Sequence, residues 1–152
     1  MKISKKFRYG LRAMAELASY YKQGSQPAKM VSKRQGIPLQ YLEQIFNKLK
    51  KKGLIKAERG PKGGYLLSRS PSKIKVNHII EALEGGYSLT DCIGTKGKQA
   101  CSRVDFCSTK KFWVKLNKSV RVILESTTLQ DLSIKPKTTK DSKISHNYLF
   151  QI

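Results

Sequence analysis

Three cysteines fall within sixteen residues, and no other cysteine occurs in the chain. Their order is Cys92, eight residues, Cys101, five residues, Cys107. Lys96, Lys98, Arg103 and Lys110 lie beside them, and neighbouring positive charge favours thiolates. Soft thiolates select iron–sulfur clusters or zinc. Structural zinc sites usually use closely spaced cysteine pairs, which are absent, and no histidine lies inside the segment. The spacing leaves four readings open: an iron–sulfur cluster with a fourth ligand from elsewhere, a thiol redox switch, zinc, or inert thiols. In a chain expected to be cytoplasmic, an odd cysteine count argues against a disulfide framework.

A second group of residues has the chemistry to read nucleic acid. Gln40, Glu43, Gln44, Asn47, Lys48 and Lys51 alternate with Leu39, Leu42, Ile45, Phe46 and Leu49, so they share the polar face of one helix. Gln and Asn amides can pair with adenine edges, and Glu can accept from cytosine N4. A solvated polar face gives the same pattern without a target. Just downstream, Arg59-Gly60-Pro61-Lys62-Gly63-Gly64 forms a turn with three glycines and a basic tip. An arginine there can enter a narrow minor groove. Lys5, Lys6, Arg8, Lys33, Arg34 and Lys50 are candidates for phosphate contacts, which position without reading sequence. Tyr41, Gly60 and Pro61 complete the candidate interface.

These residues need elements to hold them. Phe7, Leu11, Met14, Ala18 and Tyr21 predict a helix over 5–22. Residues 28–35 predict a second helix with Met30 and Val31 inward, stopped by Gly36. Pro38 to Lys51 predicts the third. Two short helices about a glycine turn, followed by a hairpin over 54–58 and 65–68, give the order of a winged helix-turn-helix. A short strand at 74–76 and a fourth helix through Val76, Ile79, Ile80 and Leu83 follow, closed by Gly85-Gly86. Trp113, Leu116, Val120, Ile123 and Thr127 place a narrow apolar stripe on a long helix from Thr109 to about Thr127, the pattern of a helix that pairs with another. The expected fold is mainly α with a small β-hairpin wing. Residues 1–86 are expected to form the DNA-binding domain, 87–108 a cysteine-bearing sensor loop, 109–133 a dimerisation helix, and 134–152 a disordered tail.

Composition narrows the function classes. The chain carries 31 Lys+Arg against 10 Asp+Glu, a net charge of +21. That excess attracts polyanions. Residues 1–85 hold 19 basic and 5 acidic side chains, so most of it belongs to the folded half rather than the tail. No apolar run reaches the ~20 residues of a membrane span, and no signal-peptide core follows the N-terminus, which predicts a cytoplasmic protein. No phosphate-binding loop, paired-carboxylate site or Ser/His/Asp set is present, so an enzyme is not expected. His78 reads as a packed histidine and His146 lies in the tail. A basic RNA-binding protein with a structural metal, and a regulator sensing a metabolite or partner protein, stand as alternatives.

Several segments resemble the Rrf2 family of bacterial winged-helix regulators. They are Met1-Lys2-Ile3-Ser4, Arg8-Tyr9-Gly10, Gln35-Gly36-Ile37-Pro38, Tyr41-Leu42-Glu43-Gln44-Ile45-Phe46, and Arg59 through Leu67. The resemblance covers about residues 1–132, with the wing the most specific stretch and the cluster-regulating (IscR) and nitric-oxide-sensing (NsrR) types the nearest. It implies a homodimer that exchanges long C-terminal helices and binds double-stranded DNA. Gln40, Glu43 and Gln44 would read bases, and Arg59 with Gly60 would enter the minor groove. Cys92, Cys101 and Cys107 would hold a 2Fe–2S or 4Fe–4S cluster. The chain departs from the family where a fourth ligand is expected: Lys110 stands in place of a histidine and Arg8 in place of a carboxylate, and the first cysteine gap is longer than usual. Asp91, Asp105, His78 or an exogenous ligand are the candidates that remain.

Overall fold

The computed structural model describes residues 3–93 and 101–133. The reading of 134–152 as a disordered tail, with His146, and the positions of Lys96 and Lys98 lie outside the described residues. The elements are α1 (Lys5–Ser19), α2 (Ala28–Gln35), α3 (Leu39–Lys51), β1 (Ile55–Glu58), β2 (Gly64–Leu67), α4 (Val76–Glu84), α5 (Lys110–Ser126) and α6 (Leu129–Leu132), with a 3₁₀ turn at Pro71–Lys73 before α4.

Ser4 begins α1 by accepting the Phe7 N–H at 3.0 Å, which satisfies one of the free amides of the first turn. The helix ends three residues earlier than its apolar spacing predicts. The N–H groups of Tyr20 and Tyr21 bond the carbonyls of Leu17 and Ala18, tightening the last turn. Lys22 then takes a left-handed φ of 65°, which redirects the chain. Gly36 adopts φ 60° at the end of α2. Ile37 drops into the core, held by the Ser32 hydroxyl donating to its carbonyl at 2.6 Å. Pro38 leads directly into α3.

Leu42, Ile45, Phe46 and Leu49 bury one face of α3 against α1, α2 and α4. Each such burial contributes roughly 1.5–3 kcal/mol. Two inward assignments are corrected. Leu39, at the first residue of α3, is 37% exposed, and Met30 on α2 is 47% exposed while Val31 beside it is fully buried. An eight-residue helix covers the core along a narrow line, with Val31 buried in it and Ala28 packed at its edge. β1 and β2 pair antiparallel from Ile55↔Leu67 to Glu58↔Gly64.

The strand expected at 74–76 is a single bridge, and its partner is distant. Lys75 pairs with Thr128, with Val76 N–H donating to Thr127 O and Leu129 N–H to Ile74 O, both at 2.9 Å. Thus the chain leaving α5 returns to the body, and α6 buries Leu129 completely. α5 itself buries no residue. Phe112, Val114, Val122 and Ile123 are exposed along it, Ile123 by 62%. Among the described residues no helix is long and apolar enough to cross a membrane.

Candidate DNA interface and cysteine segment

On α3, Gln40, Glu43, Gln44, Asn47 and Lys48 are all exposed, opposite the buried stripe. Gln40, Gln44, Asn47 and Lys51 follow one another at steps of four, three and four, so they form the middle of the outward face. Tyr41 is half-buried instead. Its ring meets Tyr9 of α1 edge-on, with centroids 5.8 Å apart. It therefore supports the angle between α1 and α3, leaving its edge beside the polar face. The last turn of α3 carries Lys48, Lys50 and Lys51, which suit the negative end of the helix dipole.

The wing presents Arg59, Gly60, Pro61 and Lys62 to solvent. Gly60 takes φ 111°, a conformation other residues rarely adopt, and its carbonyl accepts the Gly63 N–H at 2.9 Å. Gly64 allows a close approach, because a Cβ there would overlap the backbone of Gln26. Tyr65 and Gln26 exchange backbone hydrogen bonds of 2.9 and 2.8 Å, and the Ser25 hydroxyl donates to the Lys62 carbonyl at 3.0 Å. The Tyr65 ring lies on Phe46 of α3, centroids 4.5 Å apart. The wing and α3 therefore share a packed contact.

Lys5, Arg8, Lys33 and Lys50 are exposed. Two other phosphate candidates are engaged elsewhere. Lys6 pairs with Glu84 of α4 at 3.5 Å, and Arg34 pairs with Glu16 of α1 while donating to Gln26 at 2.8 Å. Gln35 donates to Glu16 at 2.9 Å and Arg12 donates to Gln35. This network ties α1, α2 and the wing's anchor together. Polar residues scattered along the chain gave no spacing signal for it, since its members come from three separate elements.

Cys92 and Cys101 are half-buried and Cys107 is exposed. Cys92 Sγ lies 3.3 Å from the Thr90 hydroxyl, and Cys107 Sγ lies 3.3 Å from that of Thr109, the residue preceding α5. Hydrogen bonds from the Thr109 side chain and backbone, with lesser help from Lys110 N–H and the Arg103 charge, hold the Cys107 thiol below its ordinary pKa. Successive turns link Cys101 to Val104 and Arg103 to Phe106, burying Val104 while Phe106 stands in solvent. Among the described residues no three His, Cys, Asp or Glu side chains converge as a metal site. The donors thus fit an iron–sulfur cluster in kind, as three soft sulfurs in one segment with one biased toward thiolate. They are not gathered around one point. Asp91 and Arg8 are exposed, Lys110 begins α5, and His78 Nδ1 accepts the Lys75 N–H at 3.2 Å.

The family model described as Rrf2, iron-dependent transcriptional regulator, matches residues 3–135. The chain is 39% identical over 132 residues to the HTH-type transcriptional regulator IscR of Xenorhabdus nematophila, covering 87% of this chain and 79% of that protein. The same figures hold for IscR of Serratia proteamaculans. Among solved structures, CymR, the global cysteine regulator of B. subtilis, superposes with a TM-score of 0.73 at 34% identity, over 88% of this chain and 96% of that one. IscR of T. potens superposes with a TM-score of 0.71 at 39% identity, over 87% and 85%.

Proposed function

The chain belongs to the Rrf2 family of transcriptional regulators, and we propose that it works as a cytoplasmic homodimer reading duplex DNA under control of its three cysteines. It is a winged-helix, DNA-binding protein. The observation that carries the reading is the pairing of an exposed amide-rich face on α3 with an exposed Arg59–Lys62 tip, joined through Phe46 and Tyr65. Gln40, Glu43, Gln44 and Asn47 meet base edges in the major groove. Arg59 and Gly60 lie in the flanking minor groove. Lys5, Arg8, Lys33, Lys48 and Lys62 contact phosphates, with Tyr41 and Pro61 beside them.

The apolar side chains exposed along α5 support a second copy as its partner, since so much exposed apolar surface is rarely left in water. Two copies would set two reader helices one or more DNA turns apart.

Cys92, Cys101 and Cys107 would hold an iron–sulfur cluster, of either the 2Fe–2S or the 4Fe–4S kind. Bound there, a cluster supplies a redox-active iron centre. The chain's own part is positional. Cys107 lies three residues before α5, and Asn117 of α5 accepts the Leu89 N–H at 3.2 Å, so the arrangement of the cysteine segment bears on the helix that sets dimer geometry. The uncongregated sulfurs favour a second reading, in which the thiols act in a redox switch without a cluster.

The test is operator binding by anaerobically purified protein, with iron and sulfide assayed and the visible spectrum recorded. Bound iron and sulfide, with an affinity that changes on their removal, support the cluster reading. Iron-free protein whose affinity changes only on thiol oxidation selects the switch. Equal affinity with and without all three cysteines overturns control by them.

A further inference from the structure

A hollow of about 430 Å³, with polar and apolar lining in similar measure, opens where four parts of the fold meet. Lys52, at the C-terminal cap of the reader helix, forms one wall. Asn77 and Glu81, one turn apart on α4, form another, with the Asn77 amide donating to the Glu81 carboxylate at 3.0 Å. Asn117 and Arg121, one turn apart on α5, form the third, and Ile93 closes the side next to Cys92. Among the described residues Lys52 has no ion-pair partner. Arg121 donates its Nε to Glu125 at 2.9 Å in an exposed pair, which leaves its terminal nitrogens available.

The charges lining this hollow carry both signs and disfavour ligands of a single charge. A plain anion would meet the Glu81 carboxylate, and a plain cation would meet Lys52 and Arg121. All three charged groups stay exposed, so each mismatch is a repulsion of roughly 1 kcal/mol at contact distance rather than a burial penalty. A small molecule with a carboxylate and an ammonium group a few bonds apart satisfies both signs at once. The volume lies at the lower end of the roughly 300–1,000 Å³ of small-molecule sites, which suits such a molecule better than a nucleotide.

We propose that this hollow binds a small zwitterion of the α-amino-acid type, and that its occupancy adjusts DNA affinity. The carboxylate spans Lys52 and Arg121, the ammonium faces Glu81, and a short side chain lies on Ile93. The ligand then ties the end of the reader helix to α5. It shifts the equilibrium toward whichever arrangement brings Lys52 and Arg121 together. The DNA-coupling part rests on α3 being the reader helix; the binding part does not.

Calorimetry on the full chain without DNA, titrating each proteinogenic α-amino acid singly up to about 10 mM, tests binding at the weak end of measurable affinity. Acetate, methylammonium and inorganic phosphate serve as single-charge controls. The expected result is that at least one amino acid binds while the controls do not. Lys52→Ala and Glu81→Gln should each weaken that binding roughly tenfold or more. Unchanged melting curves in these variants establish that both remain folded, and Arg121→Ala provides a third variant should either fail. Binding by none of the amino acids, equal binding of a control, or affinity untouched in the folded variants overturns the site. The second measurement is operator affinity with and without the bound amino acid, for which a shift of about threefold or more is expected. No shift overturns the coupling. Absence of any DNA binding instead overturns the reader-helix assignment and leaves the calorimetric result standing.

Discussion

Gly64 lies against Gln26 so closely that a Cβ on the glycine would overlap the Gln26 backbone. The contact is pinned from both sides. Tyr65 exchanges backbone hydrogen bonds with Gln26, and Arg34 donates to the Gln26 side chain while pairing with Glu16 of α1. The wing's return strand is therefore fastened to the entrance of α2, and α2 to α1. A hairpin of two four-residue strands has little stability by itself, so this fastening is what orients Arg59 relative to α3.

Gly64→Ala should force two backbones apart, at a cost of ~1–3 kcal/mol typical of overpacking. Specific operator affinity should fall with stability. Urea denaturation and operator titration of the same preparation measure both. A variant of unchanged stability would show that the wing is free of the α2 entrance.

Arg59→Ala should cost ~1–3 kcal/mol on an operator and much less on random duplex, because a minor-groove contact depends on groove width. Lys33→Ala should instead weaken both equally and reduce the salt slope by about one. Titrations at several salt concentrations separate the two. Equal losses on both DNAs for Arg59→Ala would reduce its role to charge.

Cys92→Ser, Cys101→Ser and Cys107→Ser should each abolish visible absorption and bound iron in protein purified without oxygen. Stripping iron from the unaltered chain with a chelator should then reproduce the variants' operator affinity. Retention of full iron in any single variant would remove that cysteine from the ligand set.

Ile123→Glu should place a charge among the exposed apolar side chains of α5 and convert the proposed dimer to monomer, lowering operator affinity roughly a hundredfold or more, as loss of linked half-sites requires. Light scattering reads the mass. A dimer that survives both this change and Trp113→Glu would move the interface elsewhere.

Asp131 gives the fold a defined acid sensitivity. The Thr128 hydroxyl and N–H donate to its carboxylate at 2.7 and 2.8 Å and hold its pKa below the usual range. The folded state thus favours the charged form. The stabilisation is complete above the unfolded carboxylate value of ~3.9 and is lost as pH falls through the lowered folded value. Asp131→Asn should flatten that part of the stability profile. Urea midpoints compared from about pH 2.5 to pH 6 check it. An unchanged profile would show that the α6 cap does not respond to acid.

Much of this protein is legible along the chain because its signals are local. The helices show themselves in the spacing of Leu42, Ile45, Phe46 and Leu49. The turn shows itself in Gly36, the wing in a run of glycines around Pro61, and the unusual segment in three clustered cysteines. The candidate base readers follow from the same spacing, since burying one face of α3 exposes Gln40, Gln44 and Asn47.

Periodicity alone could not show the premature end of α1 or the exposure of Met30, because both depend on where the neighbouring element lies. It also could not separate Arg34 and Lys6, bound in ion pairs, from Lys33 and Arg8, left in solvent.

What the sequence determined by itself was the first four helices and the hairpin, their order and the chemistry each displays, all consequences of residue type at short spacing. Only the tertiary structure decided how the wing is fastened, how α6 returns Leu129 to the core, and that Lys52, Glu81 and Arg121 line one hollow. Those contacts join residues far apart in the chain. They follow from the packing of buried faces, which determines the long-range geometry that local patterns leave open.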